Sequence, residues 1–426
     1  MIFLYRLAIA LLGPFAGVWL ARRARSGKED PARVDERLGR YTQPRAHGPL
    51  LWLHAASVGE SGVAFALIDA LAERDRELSF LLSTGTRTSA ELAAKRTDAR
   101  MKHVYSPLDR AGAVRRFLDH WRPDVGVFVE SEIWPNLILE AERRGMPLAL
   151  VNARMSVSTL QRWRRWSAAG RRLLKAFAFV SAADERTATL LRQLRDAPMP
   201  APANLKLAAP PPRDDGSARA ALRAAINQRP VWLAASTHAG EDEIAIAAHE
   251  RIRAAFSNAL LIIAPRHPER GEAVAKLAGG APRRAPDEPI GAAPVYVADT
   301  LGELGMLYTV APVALVAGSL APQLKGHNPI EPAKLGAAIV TGPYVESFQD
   351  IYDALAAAGA VARVDSAAAL AEAVLRLWRD ETARARQVEA ARAVTEQGAE
   401  AFAQTVAALA ALLSSQTARA RTDASA

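Results

Sequence analysis

Short runs of aliphatic and β-branched residues recur along this chain, each followed by a segment with helical periodicity. In the first half the runs are LLWLHAAS, LSFLLST, KHVYSP, VGVFVE, PLALVNAR and FAFVSA, with stretches such as AGAVRRFLDHW and DERTATLLRQL between them. Strands separated by a helix's length of chain cannot close tight hairpins, so the pattern calls for parallel sheets of βαβ units. Residues 196–217, DAPMPAPANLKLAAPPPRDDGS, interrupt it with six prolines and read as a linker. The pattern then restarts with VWLAAS, ALLIIAPR, PVYVADT, VALVAGS and AAIVTGP, and LHAASVGE is echoed by LAASTHAGE. The expected fold is α/β, two doubly wound Rossmann-like domains whose ligands bind at the carboxyl ends of the strands. The expected boundaries are a first domain over 26–195, the linker, a second domain over 218–395, and a C-terminal helix and tail over 396–426.

A chain of 426 residues suits two such cores, and 50% hydrophobic residues suffice to fill them. The absence of cysteine excludes disulfides, thiolate metal sites and cysteine nucleophiles. An excess of 54 Lys+Arg over 45 Asp+Glu, a net +9, points to an anionic partner. The N-terminal MIFLYRLAIALLGPFAGVWLARRAR is apolar from Ile2 to Ala21 apart from Arg6, then basic at Arg22, Arg23 and Arg25. Residues 1–25 therefore read as a membrane anchor or an in-plane interfacial helix, with the arginines holding the downstream chain on the cytoplasmic side.

Glu60 follows the first strand where a helix begins, a position with two uses: a first-turn helix charge or a working carboxylate. Glu130 and Glu132 in VESEIWPNLI end a strand, and can bind metal, serve as acid and base, or cap the helix at Pro135. Ser236, Thr237 and His238 precede a helix near Glu241 and suit either a phosphate cradle or an N-cap. Arg266 and His267 leave a strand end, where an arginine can grip phosphate with both its nitrogens. In AGSLAPQLKGHNPIEPAKLG, Gly318 and Ser319 end a strand and Glu331 lies in a short helix, placed for ribose hydroxyls. EDE at 241–243 reads as helix first-turn charge, and no histidine spacing suits a metal. QRWRRWSAAGRRLLK sets Trp163 and Trp166 among Arg162, Arg164, Arg165, Arg171, Arg172 and Lys175, as a membrane interface or a nucleic-acid surface would, or a solvated helix face.

Taken together, HAASVGE, SEIWPNLI, VNARMS, STHAGEDE, RHPE and GHNPIEPAKLGAAIVTGP resemble the 3-deoxy-D-manno-oct-2-ulosonic acid (Kdo) transferases of lipopolysaccharide biosynthesis. The resemblance implies a GT-B glycosyltransferase fold, acceptor on the first domain and nucleotide sugar on the second. It implies CMP-Kdo as donor, the tetraacyl lipid A precursor as acceptor, the cytoplasmic face of the inner membrane as location, and neither cofactor, metal nor nucleic acid. By the same resemblance Glu60 is the catalytic base, held ionised by the helix N-terminus, and Glu130 and Lys206 stabilise the transition state. Donor contacts fall on Ser236, Thr237, Arg266, His267, Gly302, Glu303, Leu304, Gly318, Ser319, Asn328, Pro329, Ile330 and Glu331. Acceptor contacts fall on Ser57, Gly59 and Glu132. Ala203, Lys325 and Ser347 stand where the family commonly has Gly, Gly and Asn. Two rival functions fit the same features less fully: a membrane-tethered protein that binds anionic lipid, and a nucleotide-sugar epimerase.

Overall fold

The computed structural model describes residues 1–96, 98–155, 157–208 and 215–424. They form two compact units, Met1–Lys206 with the segment from Gly398, and Leu207–Gln397.

In the first unit, β1 (Leu50–His54), β2 (Ser79–Thr84), β3 (Met101–Tyr105), β4 (Val125–Val129), β5 (Leu148–Ala153) and β6 (Phe177–Ala182) make one parallel sheet. Its order is β3-β2-β1-β4-β5-β6. Helices cover both faces, so the central strands are buried throughout and read as unbroken apolar runs rather than alternating ones. One face carries Trp52, Phe117, Phe128 and Phe177, with Phe128 edge-on to Trp52 at 5.2 Å and to Phe177 at 5.7 Å. The other carries Leu51, Leu53, Phe80 and Val127, packed against the helix Val58–Arg74.

The second unit repeats this plan. β7 (Val231–Thr237), β8 (Leu260–Pro265), β9 (Val295–Val297), β10 (Val313–Val316), β11 (Ala338–Thr341) and β12 (Val361–Arg363) form a parallel sheet of order β12-β11-β10-β7-β8-β9. Both sheets turn back on themselves between their first and fourth strands, β1 and β4 in one, β7 and β10 in the other. Loops leaving those two strands diverge and open a crevice at the carboxyl edge. The echo between LHAASVGE and LAASTHAGE is thus a shared place in the fold: each leaves the first strand at the crevice. β12 has no counterpart among the expected strands, being three residues long and only half-buried.

Two segments differ from expectation. The Pro-rich stretch is no free spacer over its first part, where Leu205 is 2% exposed and packs in the first unit's core. Its residues 209–214 lie outside those described. Nor is the C-terminal segment an unpacked tail throughout. Val406, Leu409 and Leu413 are buried against the first sheet's helical layer, because a short side-chain stripe there completes an otherwise open apolar face.

At the N-terminus, helices Ile2–Leu12 and Ala16–Arg25 join through a 3-10 turn at Pro14. This is the one stretch among the described residues long and apolar enough to cross a membrane. Tyr5 ties it to the first unit by donating to Asp109 Oδ2 at 2.8 Å, while Phe3, Leu4, Leu11, Phe15 and Val18 face outward.

Candidate active site

Glu60 lies in the first turn of Val58–Arg74, with Ser57 as N-cap. The Ser57 hydroxyl donates to Glu60 Oε1 at 2.9 Å, and the Ala56 amide donates to Oε2 at 2.6 Å. This S-x-x-E arrangement is a capping box shifted by one residue, so the helix-charge use of Glu60 is real. It is not the whole account. Glu60 is 7% exposed, and burial, reinforced by the negative charge of Glu132, pushes its pKa above the ordinary glutamate value despite the bonds from Ala56 and Ser57. The sequence-based expectation that the helix N-terminus holds this carboxylate at depressed basicity is therefore corrected: desolvation outweighs the local amides.

Glu130 follows β4, on the other side of the crevice. Its backbone is left-handed, φ 59°, a conformation disfavoured for a residue with a Cβ. Lys206 Nζ meets Glu130 Oε1 at 2.6 Å. Gly59, beside Glu60, borders that ammonium: a Cβ there would stand 3.6 Å from Nζ, an ordinary contact. Lys206 is held in turn by Asn152, which is buried in β5 with φ 55° and accepts the Leu205 amide on Oδ1 at 2.8 Å. Asn tolerates that backbone better than most residues, and the Asn204 side chain accepts the Lys206 amide at 3.0 Å. Three strand ends thus converge on one carboxylate–ammonium cluster.

Glu132 completes it. Burial pushes its pKa up, but His54 Nε2 at 3.2 Å and the Trp134 indole N–H at 2.6 Å outweigh burial and leave it below the ordinary range. One carboxylate pushed up and its neighbour held down is the environment that separates a proton acceptor from a fixed negative charge. Neither Glu130 nor Glu132 caps the helix Pro135–Arg143; Asp109 does, accepting the Asn136 and Leu137 amides at 3.0 and 2.8 Å. No group of three or more metal-ligating side chains occurs among the described residues. The acid limb of the rate profile is expected above the pH at which an ordinary glutamate titrates, with activity rising as Glu60 loses its proton; kcat/KM measured from pH 4 upward checks it.

In the second unit, Arg266 and His267 are exposed at the end of β8, with the Arg266 amide donating to Thr237 O at 3.0 Å. His238 and His327 stack at 5.1 Å and share one hydrogen bond, Nε2 to Nε2 at 2.9 Å, so one ring donates and the other accepts. Burial lowers both, His327 to about 4, which keeps the pair neutral. His267 lies 5.8 Å from His238. Asn328 links to Glu331 at 3.2 Å and accepts the Ile330 amide at 3.0 Å, closing the turn through Pro329 into the helix Ile330–Leu335. Burial raises Glu331, and the charge of Arg266 pulls it back. A cationic arginine, paired imidazoles and a carboxylate therefore gather at one strand edge. Gly302 takes φ 83° ahead of Glu303, whose carboxylate is clamped by both Arg284 nitrogens at 2.6 and 2.7 Å, and Leu304 opens the helix Leu304–Val310.

Several residues read as donor contacts have other work. Thr237 is fully buried, so its carbonyl, not its hydroxyl, is used. The N-cap of Glu241–Ala255 is Gly240, φ 93°, so neither Ser236 nor Thr237 caps it. Ser319 is also buried: its hydroxyl donates to Val316 O and accepts from the Gly342 amide, both at 2.8 Å. The amides of Gly318, Ser319 and Leu320 all donate to Glu241, at 2.8, 2.9 and 3.0 Å. The three successive amides of this loop are thus already answered by the protein's own carboxylate. Gly318 is required here, since φ is 69° and a Cβ would stand 2.4 Å from the His327 ring. Lys325 also takes a left-handed φ of 62°, a conformation that favours glycine.

Sequence reasoning missed Glu241 as more than helix charge; its only signal was the echo that aligns it with Glu60. Glu241 is 1% exposed. With the His238 amide at 3.1 Å as a fourth donor, Glu241→Ala strands four amides and is expected to cost about 3 kcal/mol or more, read as a lower denaturation midpoint.

A family model described as 3-Deoxy-D-manno-octulosonic-acid transferase (kdotransferase) matches residues 32–209. The chain is 35% identical over 426 residues to the 3-deoxy-D-manno-octulosonic acid transferase of Bordetella pertussis, covering 95% of this chain and 98% of that one. It is 32% identical over 396 residues to the "Probable 3-deoxy-D-manno-octulosonic acid transferase, mitochondrial" of Arabidopsis thaliana, covering 88% of each. Among solved structures, a glycosyltransferase from Rickettsia africae ESF-5 matches with TM-score 0.51 at 12% identity, over 87% of this chain and 99% of that one. That last likeness is one of fold, the two-domain glycosyltransferase architecture.

Proposed function

The chain belongs to the 3-deoxy-D-manno-octulosonic acid transferase family, and on that basis we propose that it moves Kdo from CMP-Kdo to a hydroxyl of the tetraacyl lipid A precursor. The observation that carries the reading is the cluster at the first unit's crevice, where a buried, raised Glu60 faces the Lys206–Glu130 pair and an ionised Glu132.

In this mechanism Glu60 accepts the proton of the acceptor hydroxyl as its oxygen forms the new bond to the anomeric carbon of Kdo. The bond from that carbon to the CMP phosphate breaks, and CMP leaves with the electron pair. Raised basicity helps a carboxylate do this, because proton transfer from an alcohol is uphill for an ordinary glutamate. Glu130 opposes positive charge developing on the sugar, and Lys206 answers the Kdo carboxylate or the departing phosphate. Arg266, the imidazole pair and the turn from Asn328 to Glu331 hold the donor nucleotide, with arginine suited to its phosphate. The apolar N-terminal helix and its arginines support a location on the cytoplasmic face of the inner membrane.

The test is release of CMP from CMP-Kdo, with and without the lipid acceptor, in the presence and absence of a chelator. Release that requires the acceptor, and persists with chelator, is the expected result. Release independent of any acceptor, or binding of lipid with no release, overturns the reading.

A further inference from the structure

A cavity of about 340 Å³ lies in the first unit beside the carboxylate cluster. Its wall is built from Trp134, Met155, Trp163, Trp166, Leu173 and, from the N-terminal helix, Ile2. The lining is apolar and aromatic, and its volume is within the range of small-ligand sites. Protein interiors are ordinarily close-packed, so space ringed by three tryptophans that do not fill it calls for an occupant.

Two continuities on either side decide which occupant. On one side, the Trp134 indole donates to Glu132, whose charge acts on Glu60, so the cavity wall is bonded to the acceptor side of the reaction. On the other, Ile2 belongs to the helix whose outer face exposes Phe3, Leu4 and Leu11. Trp134 and Trp166 are themselves 42% and 45% exposed, which places them at a mouth rather than in a sealed core. One cation is placed at the mouth, where the exposed Arg165 guanidinium lies over the Trp166 ring at 6.0 Å, and Arg164 and Arg171 are exposed on the same segment. A slot that is apolar inside, rimmed by arginine and tryptophan, and continuous with an outward apolar helix fits a hydrocarbon chain attached to an anionic headgroup.

We propose that this cavity receives one acyl chain of the acceptor, and so sets the position of the acceptor hydroxyl against Glu60. The proposal rests on the lipid-acceptor reading above. The chain enters from the side of the N-terminal helix, its headgroup phosphate meets the arginine rim, and Trp134 links the filled slot to Glu132.

Two probes test it on the full chain. The first is a tetraacyl glucosamine disaccharide bisphosphate carrying a diazirine within its acyl chains, presented in detergent micelles, with cross-links mapped by mass spectrometry. Labelling of residues 155–173 in the wild type, lost in Thr159→Trp, which fills the slot, is expected. Labelling confined to residues 2–19 overturns the proposal, since that is contact between helix and micelle only. The second probe compares acylated with fully deacylated acceptor. Thr159→Trp and Trp166→Ala are each expected to reduce the kcat/KM preference for the acylated form about tenfold, through KM. An unchanged preference in both variants, each shown by an unaltered circular dichroism spectrum and a single cooperative melting transition to be folded, overturns it. Labelling at 155–173 in a protein that transfers Kdo to no acceptor sustains the acyl site while removing the transferase reading.

Discussion

Glu60→Gln is expected to lower turnover by about 10²–10⁴-fold with CMP affinity retained, because it removes a proton acceptor and little else. Gln is close in shape to Glu, and its carbonyl oxygen can still accept the Ala56 amide that Glu60 binds at 2.6 Å. The helix start therefore survives, and the loss isolates proton transfer from capping. Stability gives an independent check with a definite sign. The folded-state pKa of Glu60 is raised above its unfolded value. Its protonated form is thus favoured by folding; that contribution is present in full below the unfolded pKa and disappears as pH rises through the folded one. Gln imitates the protonated form at every pH. The variant is therefore expected to melt at a higher temperature than wild type at neutral pH, with the gap closing in acid. A less active but more stable enzyme at pH 7 is the signature; a variant that keeps full turnover would leave Glu60 as a helix cap alone.

Lys206→Met is the second large effect, an expected fall of about 10²–10³-fold in turnover. The side chain is 26% exposed and its partner Glu130 14%, so the pair is screened by the protein more than a surface bridge and less than a core one. Removing the cation leaves Glu130 unanswered on a left-handed backbone, φ 59°, that cannot relax without moving the end of β4. If the two act as a unit, Glu130→Gln combined with Lys206→Met should cost far less than the sum of the single changes. Lys206→Arg, which preserves charge but not reach, should recover part of the rate. Strict additivity in the cycle would mean that the two residues serve separate steps.

The parallel sheets were legible because each strand is buried on both faces, which writes VGVFV and LALVNA as unbroken apolar runs bounded by helical segments. β12 carries no such signal, since a three-residue half-buried strand has no apolar run to show. Glu60, Glu130 and Lys206 were singled out by the family resemblance; the bare residues could say only that Glu60 and Glu130 follow strands and that Lys206 lies in the Pro-rich stretch. Asn152 and Glu241 were hidden by distance along the chain. Glu241 serves amides 77 to 79 residues away, and Asn152 serves one 53 residues away.

Periodicity in the chain is enough to locate the strands and the twofold restart, and the ordered motifs are enough to identify the family. Hydrophobic spacing is a local property, and motifs are read one by one. The electrostatic character of each carboxylate is different in kind, because folding alone assigns it. Glu60 and Glu241 follow the same Gly-Glu step after the first strand of each sheet. Glu60 is raised beside Glu132 within a cluster of charges, while Glu241 is spent on four backbone amides. Desolvation and charge depend on what packs around a group in space, and those neighbours arrive from strands and loops that no local pattern brings together.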